Sequence, residues 1–332
     1  MKPITLLKTL LIFGSLFWGT TWALADCSPS LPGDTQVVDR GPVKTVTGAL
    51  ANFNPCHPSV RLDTPAFFAK KRGEKPPLVI IAHGGGGLGG YERDFGKLMN
   101  QQGYATLLFD AFEMNGLIPL SDLVVYQMSN GGRQRMIYKA TLGAYEWAVK
   151  SDRVDTRKIF IQGLSNGASV AINMAAAVDG AHVRGVIAES GPSAGIGFPN
   201  NIKVPLLLIY GTADNYGGLQ LDDYMHLRAM PCGYNDHDRL APPGFSETCN
   251  RTTNPANAMP SPQIWYEGLK AMGQDVRLEM IEGGGHGMMF ADFSSSVKQL
   301  PGGRMFYRSH GASPATRQGL QRLVLDFIES KL

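Results

Sequence analysis

Several features that mark particular classes of protein are missing from this sequence. Its 332 residues carry a formal net charge of only +3, and no dense stripe of lysine or arginine appears, which argues against a nucleic-acid partner. Beyond the first residues, no stretch is long and apolar enough to span a bilayer. There is also no internal repeat and no linker-like shift in composition. With 43% hydrophobic residues, the chain is expected to form one large domain with a substantial core.

The N-terminal residues predict export. Lys2 and Lys8 precede an apolar stretch at residues 10–17, and Ala23-Leu24-Ala25 is a small-residue cleavage pattern. Residues 1–25 are therefore predicted to be a secretory signal peptide, with the mature chain periplasmic or secreted. An uncleaved membrane anchor is the alternative. After cleavage, no stable membrane insertion is expected.

Cysteine is scarce, and the four cysteines all follow the predicted cleavage site: Cys27, Cys56, Cys232 and Cys249. An even number in an exported protein favours disulfides. Of the three possible connectivities, proximity along the chain favours Cys27–Cys56 and Cys232–Cys249. A metal site built from Cys232, His237 and Cys249 is the alternative, although its spacing matches no familiar zinc pattern. We therefore expect no metal.

The most informative motif is a short apolar strand that runs into Gly-x-Ser-x-Gly. Residues 158–162 read as the strand, Gly163-Leu164-Ser165-Asn166-Gly167 follows, and an Ala-rich helical stretch continues to residue 178. In a nucleophile elbow, such a strand-to-helix turn projects the serine hydroxyl out of the sheet. Read alone, the motif could be an ordinary turn. In this context, Ser165 is predicted to be a nucleophile that needs a neighbouring base.

Two polar residues farther along the chain follow predicted strands. The strand at residues 204–210 leads to Asp214, and the strand at 276–281 leads to His286. Open α/β sheets place their sites beyond the carboxyl ends of the strands. We therefore predict that Asp214 orients the imidazole of His286, which acts as general base for Ser165. Taken singly, Asp214 could instead be a helix N-cap, and His286 could lie in a flexible glycine-rich loop.

A glycine run follows a third predicted strand, at residues 78–82, as His83-Gly84-Gly85-Gly86-Gly87. Loops of this type donate backbone N–H groups to an oxyanion in lipases and esterases. Gly85 is the predicted donor, with Gly84 and Gly86 left open, and the N–H of Asn166 is the second. A phosphate cradle is the alternative, but the run lacks the Gly-Lys-Ser/Thr ending of a P-loop.

Two connections are candidates for the walls of the site. The segment 112–132 carries apolar residues without clear periodicity, and the segment 216–260 could form a lid held by Cys232–Cys249. Both could equally cover sheet edges. The predicted substrate contacts are His83, Met114, Tyr126 and Tyr216.

The remaining pattern alternates strands with helices, which predicts a doubly wound, mostly parallel sheet. The expected helices lie at residues 91–102 and 133–150, and the expected strands at 105–110 and 183–189. Ser313-Pro314 predicts the start of a last helix. Residues 26–75 are expected to form an N-terminal arm and edge strands, with the main domain at 76–332.

Over about residues 60–332, these motifs resemble the α/β-hydrolase superfamily and, more narrowly, its dienelactone hydrolase-like branch. The motifs are His83–Gly87, Gly163–Gly167, Tyr210–Asp214 and Gly284–Gly287. The resemblance implies an eight-stranded, mostly parallel sheet flanked by helices, hydrolysis of a carboxylic ester, and no cofactor. Dienelactone hydrolases proper carry cysteine where this chain has Ser165, so a general serine esterase is favoured.

The expected function is thus that of an exported serine hydrolase acting on small-molecule carboxylic esters. Two alternatives remain open: a peptidase or amidase with the same triad, and a non-catalytic binding protein on the same fold. The identity of the ester and the oligomeric state are not predicted.

Overall fold

The computed structural model describes residues 50–66, 74–117, 130–229, 259–299, 303 and 305–332, and the backbone of 36–39 and 44–47. The predicted signal peptide at 1–25, three of the cysteines (Cys27, Cys232 and Cys249) and Tyr126 lie outside the described residues. The predictions of export, of both disulfides and of a Tyr126 contact therefore stay predictions.

The strands of the described residues are β1 (Gln36–Asp39), β2 (Lys44–Thr47), β3 (Arg61–Asp63), β4 (Leu78–Ala82), β5 (Ala105–Leu108), β6 (Ile159–Leu164), β7 (Val183–Glu189), β8 (Leu206–Gly211), β9 (Val276–Ile281), β10 (Ser294–Gln299) and β11 (Met305–His310). Seven of them form one sheet in the order β3-β5-β4-β6-β7-β8-β9. Strand β3 is antiparallel to β5, and every other neighbouring pair is parallel. The carboxyl ends of β4, β6, β8 and β9 therefore lie along one edge.

The helices are α1 (Gly90–Gln101), α2 (Ala111–Met114), α3 (Asn130–Ala148), α4 (Asn166–Ala177), α5 (Pro262–Ala271) and α6 (Pro314–Glu329). Helices α1 and α6 cover one face of the sheet, where Phe95 and Val324 pack with Val79. Helices α3, α4 and α5 cover the other face, where Met136 packs with Ile80. Because both faces are covered, the central strands are predominantly apolar. None of these described helices is both long and apolar enough to cross a membrane.

The predicted fold class, α/β with a mostly parallel sheet, is confirmed. Strands β4, β7 and β9 begin and end where the sequence predicts. Strand β5 ends two residues early, because the Asp110 side chain accepts hydrogen bonds from the N–H groups of Phe112 and Glu113 and caps α2. The large sheet has seven strands rather than eight within the described residues, and β1 and β2 form a separate two-stranded sheet.

The hairpin formed by β10 and β11 was not predicted. Its two strands pair antiparallel from Ser294 opposite His310 to Gln299 opposite Met305. Every residue of β10 is exposed, so the strand has no buried face and no apolar alternation to signal it. The hairpin is nevertheless close to the predicted site, because the backbone of His310 forms an isolated parallel β-bridge with that of His286.

Candidate active site

Ser165 lies at the turn between β6 and α4, with φ 57° and ψ −121°. A positive φ is costly for a residue other than glycine and persists only where the surroundings enforce it. The Ser165 N–H donates to the carbonyl of Glu189 at 2.9 Å, and the Ser165 carbonyl accepts from the N–H groups of Ala168 at 2.9 Å and Ser169 at 3.2 Å. The neighbouring strand and the following helix thus hold the turn from both sides.

The two glycines of the motif are required by close packing of this turn. A Cβ on Gly163 would lie 2.1 Å from the carbonyl oxygen of Gly167, and a Cβ on Gly167 would lie 2.2 Å from that of Ala82. Both contacts are with backbone atoms, which cannot rotate away. Gly163 thus lets the turn close on itself, and Gly167 lets it pack against the end of β4.

Asp214 and His286 are joined by a hydrogen bond of 3.0 Å between Oδ2 and Nδ1. Asp214 is fully buried and His286 is nearly so. The other Asp214 oxygen accepts from the Tyr216 N–H at 3.1 Å. With a carboxylate as acceptor, Nδ1 carries the proton and Nε2 is the basic nitrogen of the ring.

The His286 loop is fixed by the hairpin and by an aromatic ring. The His286 N–H donates to the carbonyl of Ser309 at 2.7 Å, and the His286 carbonyl accepts from the Gly311 N–H at 2.9 Å. The ring of Tyr216 stacks on the imidazole, with 4.5 Å between centroids and 16° between planes. Strand β11 and Tyr216 together set the position of the imidazole.

Ser165 and His286 line the same cavity, which has a volume of about 870 Å³. The described residues show no hydrogen bond between the serine hydroxyl and the imidazole; in unliganded sites such bonds are often long and shorten only with substrate bound. The rest of the wall combines the glycine loop with aromatic and cationic side chains, among them Tyr91, Tyr216, Phe290, Phe306, Arg133 and Arg228.

The glycine loop places two free backbone donors on this cavity. The Gly84 N–H donates to Glu92 Oε1 at 3.0 Å, and the Gly87 N–H donates to the carbonyl of Gly84 at 3.2 Å. Among the described residues, the N–H groups of Gly85 and Gly86 have no acceptor, and both residues line the cavity. The geometry therefore removes Gly84 from the candidate donors and leaves Gly85 or Gly86.

Asn166 is the first residue of α4, so its N–H has no acceptor within the helix. The Asn166 side chain is held by a hydrogen bond, in which its Oδ1 accepts from Gln134 Nε2 at 2.9 Å. An N–H at a helix start is suited to a developing negative charge.

Two of the four predicted substrate contacts do not line the cavity. His83 is fully buried; its Nδ1 donates to the Gly84 carbonyl at 2.7 Å and its Nε2 accepts from the Ala111 N–H at 3.0 Å. Because both nitrogens of its neutral imidazole form hydrogen bonds to the backbone, His83 holds the glycine loop and has no free ring nitrogen to bind a ligand. Met114 is buried in the core. Of the other two, Tyr216 lines the cavity and Tyr126 lies outside the described residues.

Sequence reasoning missed Glu189, which is the last residue of β7. It is fully buried, and its carboxylate accepts hydrogen bonds from the Tyr91 hydroxyl and the Met288 N–H. Burial raises the pKa of Glu189 to about 7, although both hydrogen bonds and His286 lower it. The available signal was a carboxylate directly after the apolar run Val186-Ile187-Ala188.

His310 of β11 was also missed, and it lines the cavity beside His286, with 6.2 Å between ring centroids. Burial, followed by the charges of His286 and Arg308, lowers the pKa of His310. His310 therefore stays neutral to a lower pH than an exposed histidine, which keeps a second positive charge away from His286.

Comparison with known proteins gives a fold but no family assignment. No family model and no curated protein matches the sequence. Among solved structures, a dienelactone hydrolase from Anabaena variabilis ATCC 29413 is 17% identical over 91% of this chain and 100% of that chain, with a TM-score of 0.49. A structure named m3DLH is 12% identical over 91% and 99% of the two chains, with a TM-score of 0.50.

An acylaminoacyl peptidase is 18% identical over 90% of this chain, with a TM-score of 0.50; the alignment spans 41% of that longer protein. At identities this low, similarity establishes the fold and nothing more. Together with the strand order, it shows that this chain has the α/β-hydrolase fold.

Proposed function

We propose that the protein is an exported serine hydrolase that cleaves carboxylic esters through an acyl-enzyme. One observation carries the proposal: Ser165 on its strained turn faces the same cavity as His286, whose Nδ1 is 3.0 Å from the buried carboxylate of Asp214. The order of alcohol, acid and imidazole along the chain is that of hydrolases with this fold. Export rests on the sequence of residues 1–25 alone.

In the proposed reaction, Ser165 Oγ attacks the ester carbonyl while His286 Nε2 takes its proton. Asp214 keeps the imidazole in the required tautomer and stabilises the imidazolium. The N–H groups of Asn166 and of Gly85 or Gly86 bind the oxyanion. His286 then protonates the departing alcohol, and a water molecule activated by the same imidazole hydrolyses the acyl-enzyme. No step requires a cofactor.

The cavity supports a small-molecule ester as substrate. Its volume of about 870 Å³ is within the range of small-molecule sites. Tyr91 with Phe290 and Tyr216 with Phe306 form two edge-to-face pairs on its wall, which supply apolar contact area for the acyl or alcohol group.

A peptidase with the same triad is the nearest competing function, and one of the solved structures with this fold is an acylaminoacyl peptidase. Parallel assays with an ester and an anilide of the same acyl group distinguish the two functions. A non-catalytic binding protein would react with neither substrate and would not be labelled by a fluorophosphonate.

The decisive experiment is Ser165→Ala in the purified mature protein. We expect ester turnover to fall by at least about 10,000-fold and fluorophosphonate labelling to disappear, with the circular dichroism spectrum unchanged. Retained turnover or labelling in the folded variant would exclude Ser165 as the nucleophile.

A further inference from the structure

Glu189 connects three parts of the candidate site that are distant in sequence. Its carbonyl accepts from the N–H of Ser165. One carboxylate oxygen accepts from the N–H of Met288, two residues after His286, and the other accepts from the hydroxyl of Tyr91 on the cavity wall. The nucleophile turn, the histidine loop and the wall thus meet at one residue.

We propose that Glu189 is a positioning residue that holds the loop of His286 and Tyr91 in place and whose negative charge stabilises the imidazolium form of His286. This inference rests on the proposed function, because it assigns the imidazolium a role in turnover.

The place of Glu189 in the sheet favours this role over a purely structural one. Strand β7 lies between β6, which carries Ser165, and β8, which leads to Asp214. Glu189 is opposite Leu164 on one side and Ile209 on the other. Burying a carboxylate is expensive, and an apolar or amide side chain would fill the same space at lower cost. The charge itself is what distinguishes Glu189 from those alternatives.

The electrostatic surroundings indicate what that charge acts on. The titratable groups that act on Glu189 are Tyr91 on α1, through its hydrogen bond, and His286 after β9 and Asp214 after β8, through their charges. Glu92, next to Tyr91, is directed at the N–H groups of Gly84 and Gly89. Burial and Glu189 raise the pKa of Tyr91, so its hydroxyl stays protonated and donates. His286 is thus the one facing group that can become cationic.

The direction of the effect follows from charge. Above its pKa of about 7, Glu189 is ionised and favours imidazolium over neutral imidazole, so it lowers the energy of the transition state in which His286 holds the serine proton. Neutralising Glu189 should therefore shift the titration of His286 to lower pH and slow turnover.

Glu189→Gln tests this directly, because the amide retains the shape and can bond both Met288 and Tyr91 without the charge. Its matched control is Glu279→Gln, in the same row of the sheet opposite Ile209, where the carboxylate pairs with Arg277 and not with His286. The measurements are the NMR titration of the His286 ring and the pH dependence of kcat/KM for an ester.

We expect Glu189→Gln to lower the His286 titration midpoint and to reduce kcat most above about pH 7, where the wild-type carboxylate is ionised. Glu279→Gln should match the wild type. An unchanged His286 midpoint in folded Glu189→Gln would overturn the proposal, since a merely structural role leaves the titration in place.

Tyr91→Phe is a second variant that tests the same proposal if Glu189→Gln does not fold. It retains the ring against Phe290 but removes the hydroxyl that helps to keep Glu189 ionised. The His286 midpoint should again fall, by less, and an unchanged midpoint would overturn the proposal. The NMR titration needs no turnover, so a midpoint that falls in Glu189→Gln while the wild type hydrolyses no ester would refute the proposed function and leave the positioning role standing.

Discussion

The strand ends that carry the candidate triad, here called the floor of the site, are closely packed backbone, whereas much of the cavity wall is built from aromatic side chains. At the floor, formed by the carboxyl ends of β4, β6 and β8, a Cβ on Gly167 would lie 2.2 Å from the Ala82 carbonyl oxygen and a Cβ on Gly211 would lie 2.0 Å from that of Gly284. At the wall, the Tyr216 ring meets Phe306 at 5.9 Å and His310 at 5.0 Å between centroids.

This difference separates two consequences of substitution. Backbone atoms at the floor have no alternative rotamer, so an added methyl group must displace a strand. Aromatic contacts at the wall are each worth about 0.5–1.5 kcal/mol and can be lost one at a time. The floor should therefore respond with loss of the fold, and the wall with graded changes in rate.

Gly167→Ala should have the largest effect. Its methyl group would meet the backbone oxygens of Ala82 and His83 at 2.2 and 2.5 Å, so the turn and β4 cannot both keep their positions. We expect little soluble protein and, in any that is recovered, a thermal midpoint lowered by more than about 10 °C. Expression yield and thermal denaturation measure this.

The matched control is Gly319→Ala in α6, where an added Cβ meets no atom within 4 Å. Alanine is the better helix former by about 1 kcal/mol, so this variant should be at least as stable as the wild type. A soluble Gly167→Ala protein with an unchanged thermal midpoint would refute the rigid floor.

Asp214→Asn should separate packing at the floor from chemistry. The amide fits the same space and can accept the Tyr216 N–H, but it does not favour the His286 tautomer with Nε2 free. We expect kcat to fall by about 10,000-fold while the thermal midpoint changes by only a few degrees. If kcat in the folded variant stays within tenfold of the wild type, Asp214 is not the orienting acid.

The contrast between floor and wall also explains which parts of the site could be predicted from the sequence. Ser165 and Asp214 follow apolar strands, and His286 follows a strand of alternating polar and apolar residues. A parallel sheet brings strand ends to one edge, so local patterns were sufficient to predict that the three residues meet. The wall depends on contacts between distant segments: Tyr216 reaches β11, and β10 is fully exposed and has no apolar pattern. Glu189 was assigned only as the end of a strand, because its partners Tyr91 and Met288 are distant in sequence.

Tyr216→Leu should have the smallest effect and tests the wall. Leucine fills part of the space but removes the ring that stacks on His286 at 4.5 Å. Losing about 0.5–1.5 kcal/mol of ring contact predicts a fall in kcat of about 2- to 10-fold, with the thermal midpoint nearly unchanged. Tyr216→Phe retains the ring and loses only the hydroxyl, so its kcat should equal that of the wild type. If Tyr216→Leu fails to fold, or if Tyr216→Phe loses as much activity as Tyr216→Leu, ring packing is not what Tyr216 supplies, and the division between a rigid floor and an adjustable wall does not hold at this position.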